Sequence, residues 1–425
     1  MSENERPHTH GGAASPPQDP FAPPEGGWQR IIGRHRGERP GPKLVCIAGI
    51  HGNEPAGVHA LLRVFLALEE RGIPFRGELV GLTGNLGALA EGLRYRERDM
   101  NRMWTRALVA RAMQPLQTGK AAPGPGSGHD AEWAEVAELH RVLEQELDGQ
   151  TEEVFLLDLH TSSADGVPFA CIGDTLRNRR FARPFPVPVL LGLEEELNGA
   201  LLEYLNDLGV VTMGFEAGQH GASHSIDRHE AGVWIGLAAA GCFPGPIPEQ
   251  VEASRRLLSD ARAGLPKVLE ILYRHALRPR DGFKMHPGYE NFTPVSEGEI
   301  LAEDKAGLIR ARRSGRVMLP LYQGKGDDGF FLARRVHRFW LKLSGLLRKM
   351  RLEKLLPWLP GVRRHPDKPG HLLVNTRVAR FYPVQIFHLL GYRKRRPEGD
   401  LQVVSRRQHD LVRPARLEMR PPESP

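Results

Sequence analysis

Cysteine is scarce in this chain, and long apolar runs are missing. The 425 residues contain three cysteines, Cys46, Cys171 and Cys242, with no Cys-x-x-Cys pair among them. A scattered, odd-numbered set predicts buried free thiols in a reducing compartment and argues against a thiolate-rich zinc site. No run of 18 or more apolar residues occurs, which argues against a membrane-spanning helix. Residues 1–40 lack the apolar core of a signal peptide, so we expect a disordered leader and a cytoplasmic protein.

Charge is unevenly distributed along the chain. Residues 331–425 contain 22 Lys and Arg against 7 Asp and Glu, a balance of +15, whereas the whole chain carries +7. The rest of the chain is therefore mildly acidic. A basic tail of this kind either binds an anionic partner, such as a membrane surface, or simply keeps the protein in solution. We find no strong signal for nucleic-acid binding.

Strand-like and helix-like segments alternate over residues 41–278. Predicted strands cover 43–49, 77–83, 154–159, 167–172, 187–191 and 210–215, and predicted helices cover 56–70, 131–147, 194–208 and 228–240. The alternation predicts an α/β catalytic domain whose mixed, largely parallel central sheet is flanked by helices. Sites in such sheets form at the carboxyl ends of the strands.

The alternation of predicted strands and helices ends after residue 248. Glu249–His275 has the pattern of one long helix, bent at Pro266, and residues 279–335 predict a small β domain of short strands between Gly-rich turns. Residues 336–425 form a basic, partly amphipathic C-terminal extension. Within it, residues 339–359 place apolar side chains every three or four positions with Lys and Arg between them. Such a helix either lies on an anionic membrane as a peripheral anchor or packs on its own domain or a partner protein.

Two histidines and a glutamate follow two of the apolar strands. His51 and Glu54 come directly after the first strand, and His160 ends the strand that begins at Val154. Three protein ligands with a fourth position open are typical of a catalytic zinc site, because structural sites use four. Taken singly, each histidine would more often be an ordinary hydrogen-bonded residue than a ligand, but the set of three with Glu54 favours the metal site. Asp158 shares a strand face with His160, which suits a group that orients a ligand.

Two further clusters carry groups suited to hydrolysis. Arg94 and Arg102 flank a short polar stretch, where a guanidinium can polarise a carbonyl or bind a carboxylate. A surface ion-pair network with Glu97 and Asp99 explains the same spacing. Glu216 ends an apolar run and precedes small residues, as suits a general base beside a metal, although a helix-capping glutamate has the same pattern. Three histidines that follow it are candidates for lining the same pocket: His220, His224 and His229.

Four motifs occur in an order that resembles one enzyme family. They are Gly49-Ile50-His51-Gly52-Asn53-Glu54-Pro55-Ala56-Gly57, Arg94-Tyr95 with Asp99-Met100-Asn101-Arg102, Asp158-Leu159-His160-Thr161-Ser162, and Phe215-Glu216-Ala217-Gly218. Together they resemble the succinylglutamate desuccinylase/aspartoacylase family, whose members are relatives of the zinc carboxypeptidases. The likeness covers about residues 43–334 and implies a zinc-carboxypeptidase-like fold.

The resemblance also implies a role for each matched residue. It implies one zinc ion (Zn2+) per chain, held by His51, Glu54 and His160. Glu216 matches the general base and Arg94 the arginine that polarises the scissile carbonyl. The remaining pair, Asn101 and Arg102, matches the residues that bind a substrate carboxylate.

The chain departs from aspartoacylase itself at two positions. That enzyme carries an arginine about ten residues before the catalytic glutamate, whereas Leu205–Val211 contains none. Its late substrate-binding tyrosine aligns here with Phe330 or Phe331, which have no hydroxyl. The resemblance therefore favours a small, carboxylate-bearing substrate other than N-acetylaspartate.

Three hypotheses follow. The first is a zinc-dependent amidohydrolase that removes the acyl group of an N-acyl amino acid or related N-acylated amine. The second is a zinc carboxypeptidase acting on a short or modified peptide. The third is a binding protein that docks on a membrane or partner through its basic extension and keeps an unused enzyme core.

Overall fold

The computed structural model describes residues 19–118, 131–262, 264–278, 280–375, 378, 384–394 and 401–419. Its strands are β1 Ile31–Arg36, β2 Arg39–Ala48, β3 Arg76–Thr83, β4 Val154–Ser162, β5 Phe169–Ile172, β6 Val189–Leu191, β7 Val211–Gln219, β8 Val268–Ala276, β9 Lys284–Met285, β10 Pro294–Val295, β11 Ile300–Asp304, β12 Gly307–Arg310, β13 Gly315–Met318, β14 Asp328–Arg335, β15 Val362–Arg364, β16 His371–Asn375, β17 Tyr392–Lys394 and β18 Leu401–Arg406.

Helices connect most of these strands. They are α1 Ala56–Arg71, α2 Leu86–Glu91, α3 Arg106–Thr118, α4 Ala131–Leu147, α5 Leu176–Ala182, α6 Leu193–Glu196, α7 Leu201–Leu208, α8 His224–Ala240, α9 Glu249–Ala261, α10 Arg338–Lys349 and α11 Val384–Leu389, with 3₁₀ helices at Met100–Arg102 and Leu352–Trp358. No helix among the described residues is long and apolar enough to cross a membrane.

An eleven-stranded mixed sheet forms the centre of the molecule, in the order β1-β3-β2-β4-β7-β5-β6-β8-β14-β13-β10. From β3 to β8 its neighbours are parallel except for the β5–β7 pair. The predicted fold class, an α/β protein with a largely parallel central sheet and smaller C-terminal sheets, is confirmed. The three cysteines are buried and free, as predicted.

Alternation along β2 divides the core between the two faces of the sheet. Leu44, Cys46 and Ala48 pack in one apolar cluster with side chains of α1, α5, α8 and α9. Val45 and Ile47 point to the opposite face, where a second cluster includes side chains of α3, α4 and α7. A strand buried on both faces explains the continuous apolar run in the sequence.

The predicted single helix over Glu249–His275 is wrong. Helix α9 ends at Ala261, and Val268–Ala276 is strand β8, hydrogen-bonded to β6 on one side and to β14 on the other. Because Ile271, Leu272 and Tyr273 are consecutive, the segment lacks the strict alternation of a half-buried strand, and pairing with β6 and β14 determines its conformation.

The β14 strand continues the central sheet antiparallel to β8, and β13 and β10 follow it. Strands β9, β11 and β12 form a separate three-stranded sheet beside it. Residues 280–335 are therefore hydrogen-bonded to the preceding part of the chain through one shared sheet.

Part of the segment expected to be a disordered leader forms a strand. Residues 1–18 lie outside the described part of the chain, but Ile31–Arg36 forms β1, which pairs with β3 at the edge of the central sheet. The prediction of disorder up to residue 40 is therefore wrong for this strand.

The C-terminal extension contains regular structure of its own. Strands β15 to β18 form a four-stranded sheet in the order β15-β16-β18-β17. An apolar cluster at its centre includes Leu372, Val404 and Phe387. Ion pairs join this sheet to the catalytic domain, among them Arg393 to Asp207 at 2.7 Å and Arg407 to Glu194 at 2.8 Å.

Candidate active site

A tight turn between β2 and α1 presents the first two predicted ligands. Gly49 has a φ of +65°, a conformation that favours glycine, and a Cβ on Gly52 would lie 2.1 Å from the carbonyl carbon of Ala88. Helix α1 then begins at Ala56 after Pro55. The turn therefore leaves His51 and Glu54 at the carboxyl end of a buried strand.

His51, Glu54 and His160 meet in one buried cluster. Each offers a ligand atom, and these atoms all lie within 4.8 Å of one another. The two Glu54 carboxylate oxygens face the histidines separately, with Oε1 at 2.9 Å from His51 Nδ1 and Oε2 at 3.1 Å from His160 Nδ1. Thr161 fixes the carboxylate by donating its backbone N–H to Oε2 at 2.9 Å. The predicted metal ligands are therefore brought together.

Each histidine has an aspartate on its other ring nitrogen. Asp99 Oδ1 lies 3.3 Å from His51 Nε2, and Asp158 Oδ2 lies 2.9 Å from His160 Nε2. Carboxylates in these positions set the tautomer and ring orientation of metal-binding histidines and raise their basicity. The predicted orienting role of Asp158 has this geometric basis, and Asp99 was not foreseen in the same role.

Titration of the cluster reflects these close charges. Burial alone would raise the pKa of Glu54, but His51 and His160 hold it well below its usual range. Burial alone would lower the pKa of His160, but Asp158 and Glu54 raise it well above its ordinary value. A positive charge is thus strongly stabilised between the carboxylates.

Glu216 lies beside His160, because the two residues are paired in register on β7 and β4. Burial raises the pKa of Glu216 to about 8, and its Oε2 has no hydrogen-bond partner among the described residues. A carboxylate of high proton affinity next to the ligands is suited to accept a proton from a water molecule.

Arg94 reaches the cluster from the loop after α2. Its Nη1 lies 3.5 Å from Glu54 Oε1 and its Nη2 lies 3.4 Å from Asp99 Oδ2. The buried carboxylate of Glu132 holds this loop by accepting the backbone N–H groups of Arg96, Glu97 and Arg98 at 2.7, 3.2 and 3.2 Å. Arg94 therefore pairs with Asp99 inside the site and not in a surface network.

Asn101 and Arg102 both line the cavity, but parts of both are already engaged. Asn101 Oδ1 accepts the backbone N–H of Leu201 at 2.9 Å. Arg102 Nη2 donates to Asp328 Oδ2 at 2.8 Å, whereas its Nε has no partner among the described residues. Part of the guanidinium is therefore occupied by Asp328, a contact that the sequence did not predict.

The cluster opens into a cavity of about 160 Å³. Apolar side chains such as Leu197, Leu202 and Phe331 form much of its wall. The C-terminal extension also contributes, through Arg393 and Arg407. No local motif marks these two arginines, so their position in the cavity wall could not be predicted from the sequence.

Arg393 and Arg407 are paired with acids of the catalytic domain. Arg393 contacts Glu203 at 3.0 Å and Asp207 at 2.7 Å, and Asp207 lies in Leu205–Val211, the stretch that contains no arginine of its own. Arg407 contacts both Glu194 and Glu195. The far wall of the cavity is therefore a set of paired charges.

The remaining candidate residues differ in whether they line the cavity. Phe331 lines the cavity, whereas Phe330 points away from it and stacks on His275 at a ring-centroid distance of 5.1 Å. His220 lines the cavity and contacts Thr161 Oγ1 at 2.7 Å. His229 donates to the backbone oxygen of His160 at 2.9 Å, and burial lowers its pKa to about 4, so it is a neutral supporting residue.

Comparison with known proteins finds similarity to the same family that the sequence motifs resemble. Residues 40–232 match the succinylglutamate desuccinylase/aspartoacylase catalytic domain. The succinylglutamate desuccinylase of Pseudomonas aeruginosa (strain LESB58) is 28% identical over 280 residues, 63% of this chain and 75% of that protein. That of Serratia proteamaculans (strain 568) is 24% identical over 294 residues, 65% of this chain and 79% of that protein.

Solved structures give similar matches. A succinylglutamate desuccinylase/aspartoacylase from Rhodobacter sphaeroides has 18% sequence identity and a TM-score of 0.49, covering 72% of this chain and 88% of its own. The range of the family match, residues 40–232, contains every predicted site residue. It ends before β8, so the extension with Arg393 and Arg407 lies outside it.

Proposed function

The catalytic domain at residues 40–232 belongs to the succinylglutamate desuccinylase/aspartoacylase family, and from that premise we propose that the protein is a zinc-dependent deacylase. It would hydrolyse the amide bond of an N-acyl amino acid or a related N-acylated amine. The observation that carries the proposal is the buried His51–Glu54–His160 cluster, with Glu216 beside His160 and Arg94 beside Glu54.

The residues present suit zinc. Two imidazole nitrogens and one carboxylate form a donor set common in catalytic zinc sites, and each imidazole is backed by an aspartate at its outer nitrogen. His51, Glu54 and His160 would hold the ion. The chemistry that a bound zinc ion would supply there is activation of a water molecule for attack on a carbonyl carbon.

The chain's own groups would move the proton and stabilise the charge. Glu216 would accept a proton from the attacking water at its carboxylate and later donate it to the leaving nitrogen. A divalent cation nearby would lower the raised pKa of Glu216 and favour its basic form. The guanidinium of Arg94 would stabilise the negative charge that develops on the carbonyl oxygen.

A small carboxylate-bearing substrate fits the polar side of the cavity. Arg102 lines it with an Nε that has no partner among the described residues, and Asn101 lies next to it. Arg102 would bind the substrate carboxylate in competition with Asp328. The 160 Å³ cavity and its apolar side chains suit a substrate of a few carbon atoms beyond the amide.

The test is a panel of N-acyl amino acids with different acyl groups, assayed for release of free amine with the purified full-length protein. We expect release from at least one substrate, loss of release after chelation, and recovery on adding zinc. Metal content of the untreated protein is measured separately by elemental analysis. No amine release together with no bound divalent metal would contradict the proposal.

A further inference from the structure

One face of helix α10 exposes apolar side chains to solvent. Phe339, Leu343, Leu346 and Met350 recur at intervals of four, three and four residues, the spacing of one helix face. Phe339, Leu346 and Met350 are 57%, 55% and 59% exposed. Trp340 beside them is half exposed, so the exposed surface is strongly apolar.

The opposite side of α10 is polar and buried. Arg348 is 1% exposed and donates from Nη2 to Asp174 Oδ2 at 2.8 Å and from Nη1 to the Asp174 backbone oxygen at 2.6 Å. Ser344 donates from Oγ to the backbone oxygen of Leu389 at 2.9 Å. The helix is thus attached through these polar groups and through Leu341, which packs on the core, while Phe339, Leu346 and Met350 remain exposed.

The apolar surface continues into the next segment. After Arg351, whose φ of +56° turns the chain, the 3₁₀ helix Leu352–Trp358 exposes Leu355 at 59% and Trp358 at 86%. Exposed tryptophans and leucines beside basic residues are typical of segments that enter the interfacial region of a bilayer.

The charge around this surface has one sign. Six cations among residues 335–360, all described, are exposed: Arg335, Arg338, Lys342, Lys349, Arg351 and Lys354. The segment contains one acid, Glu353, which is buried and paired with Arg406 at 2.8 Å. A surface that combines an apolar stripe with unopposed cations is complementary to an anionic lipid bilayer.

We propose that residues 335–360 are a membrane-docking surface that places this protein on anionic phospholipid bilayers. The apolar side chains of α10 and of Leu355 and Trp358 enter the headgroup region, and the six cations contact lipid phosphates. A second copy of the chain fits this surface less well, because two such faces would bring twelve exposed cations together without an exposed acid from the same segment.

The experiment is co-sedimentation of the full-length protein with phosphatidylcholine vesicles and with vesicles that contain phosphatidylglycerol. We expect binding to the second kind alone, weakening as salt is raised. Replacing Lys342 and Lys349 by Gln should weaken binding about fivefold for each charge removed. The triple variant Phe339→Ser/Leu346→Ser/Met350→Ser should lose binding, because it removes the apolar contacts.

The matched control is Leu66→Ser on α1, since Leu66 is 55% exposed, as Leu346 is, but lies far along the chain on another helix. It should bind as the unchanged protein does. Deacylase assay in solution without vesicles, and thermal unfolding, check that the triple variant is folded; neither should change.

Two outcomes overturn the proposal. One is equal vesicle binding by the triple variant and the Leu66 control, or equal binding to neutral and anionic vesicles. The other is no vesicle binding together with a dimer, seen by sedimentation velocity, that the triple variant dissociates, because the surface would then be an interface between copies. Neither outcome depends on whether the protein cleaves an amide.

Discussion

Individual side chains of the site are held in place by hydrogen bonds from the residues behind them. Asp99 and Asp158 bond the outer nitrogens of His51 and His160, and the backbone N–H of Thr161 fixes Glu54. These partners leave the ligand atoms pointed at one another, whereas Glu216 keeps one carboxylate oxygen without a partner. Under the proposed function, this arrangement separates the residues that would bind the metal from the residue that would transfer protons.

The Glu216→Gln variant tests that separation. Glutamine keeps the shape of glutamate but cannot accept the proton, so we expect kcat to fall by about 10² to 10⁴-fold. Zinc content, measured by elemental analysis, should stay at the level of the unchanged protein. Glu230→Gln, the same substitution on the outer part of α8, serves as control and should keep full activity. Normal turnover by the Glu216 variant would remove this residue from the role of base.

At the scale of secondary-structure elements, the site lies where strands end, so the turns after those strands position its side chains. The turn between β2 and α1 is packed against the backbone at Ala88, and its two ligands are three residues apart. Small backbone displacements in this turn therefore move both ligands together.

The Gly52→Ala variant tests this packing. The added Cβ would lie 2.1 Å from the carbonyl carbon of Ala88, so the backbone must shift. We expect weaker metal retention under chelator competition and about a 100-fold loss of activity, since a displacement of about 1 Å at a site has that effect. Gly72→Ala is the control, because its φ of +55° is strained but no atom lies within 4 Å. If the two variants retain metal equally, close packing of the turn is not what positions the ligands.

The sequence predicted those elements that are determined by the pattern of neighbouring residues. The ligand motifs follow buried strands, and α4 begins and ends where the apolar periodicity does, at Ala131 and Leu147. Strand β8 was read as helix because its identity depends on pairing with β6 and β14, which the sequence around it does not reveal. For the same reason, Arg393 and Arg407 were not foreseen in the cavity wall, because their partners lie about 200 residues away along the chain.

At the scale of the whole molecule, the extension is joined to the catalytic domain by buried ion pairs. The Arg407 side chain is 4% exposed between Glu194 and Glu195, and those carboxylates raise its pKa even though burial opposes them. Removing one partner of a buried pair leaves uncompensated charge in a medium of low dielectric constant.

Arg407→Met should therefore lower the free energy of unfolding by about 3–5 kcal/mol, measured by urea denaturation. The control is Arg36→Met, since Arg36 pairs with Glu78 but its side chain is 83% exposed. That substitution should cost less than about 1 kcal/mol. Equal losses in the two variants would mean that the extension is not held to the core through Arg407.

The continuous central sheet also limits how a substrate can enter. Strands β8 and β14 are hydrogen-bonded over most of their length. Residues 280–335 therefore cannot move away from the rest of the sheet as a rigid body without breaking those hydrogen bonds. The loop between β13 and β14 is held mostly by side-chain hydrogen bonds, among them Asn53 to Gln323 at 2.9 Å and Lys325 to the Tyr95 backbone oxygen at 3.0 Å. Because Leu321, Gln323 and Gly326 of this loop line the cavity, the length of the loop is, under the proposed function, the natural variable for tuning which molecules are admitted.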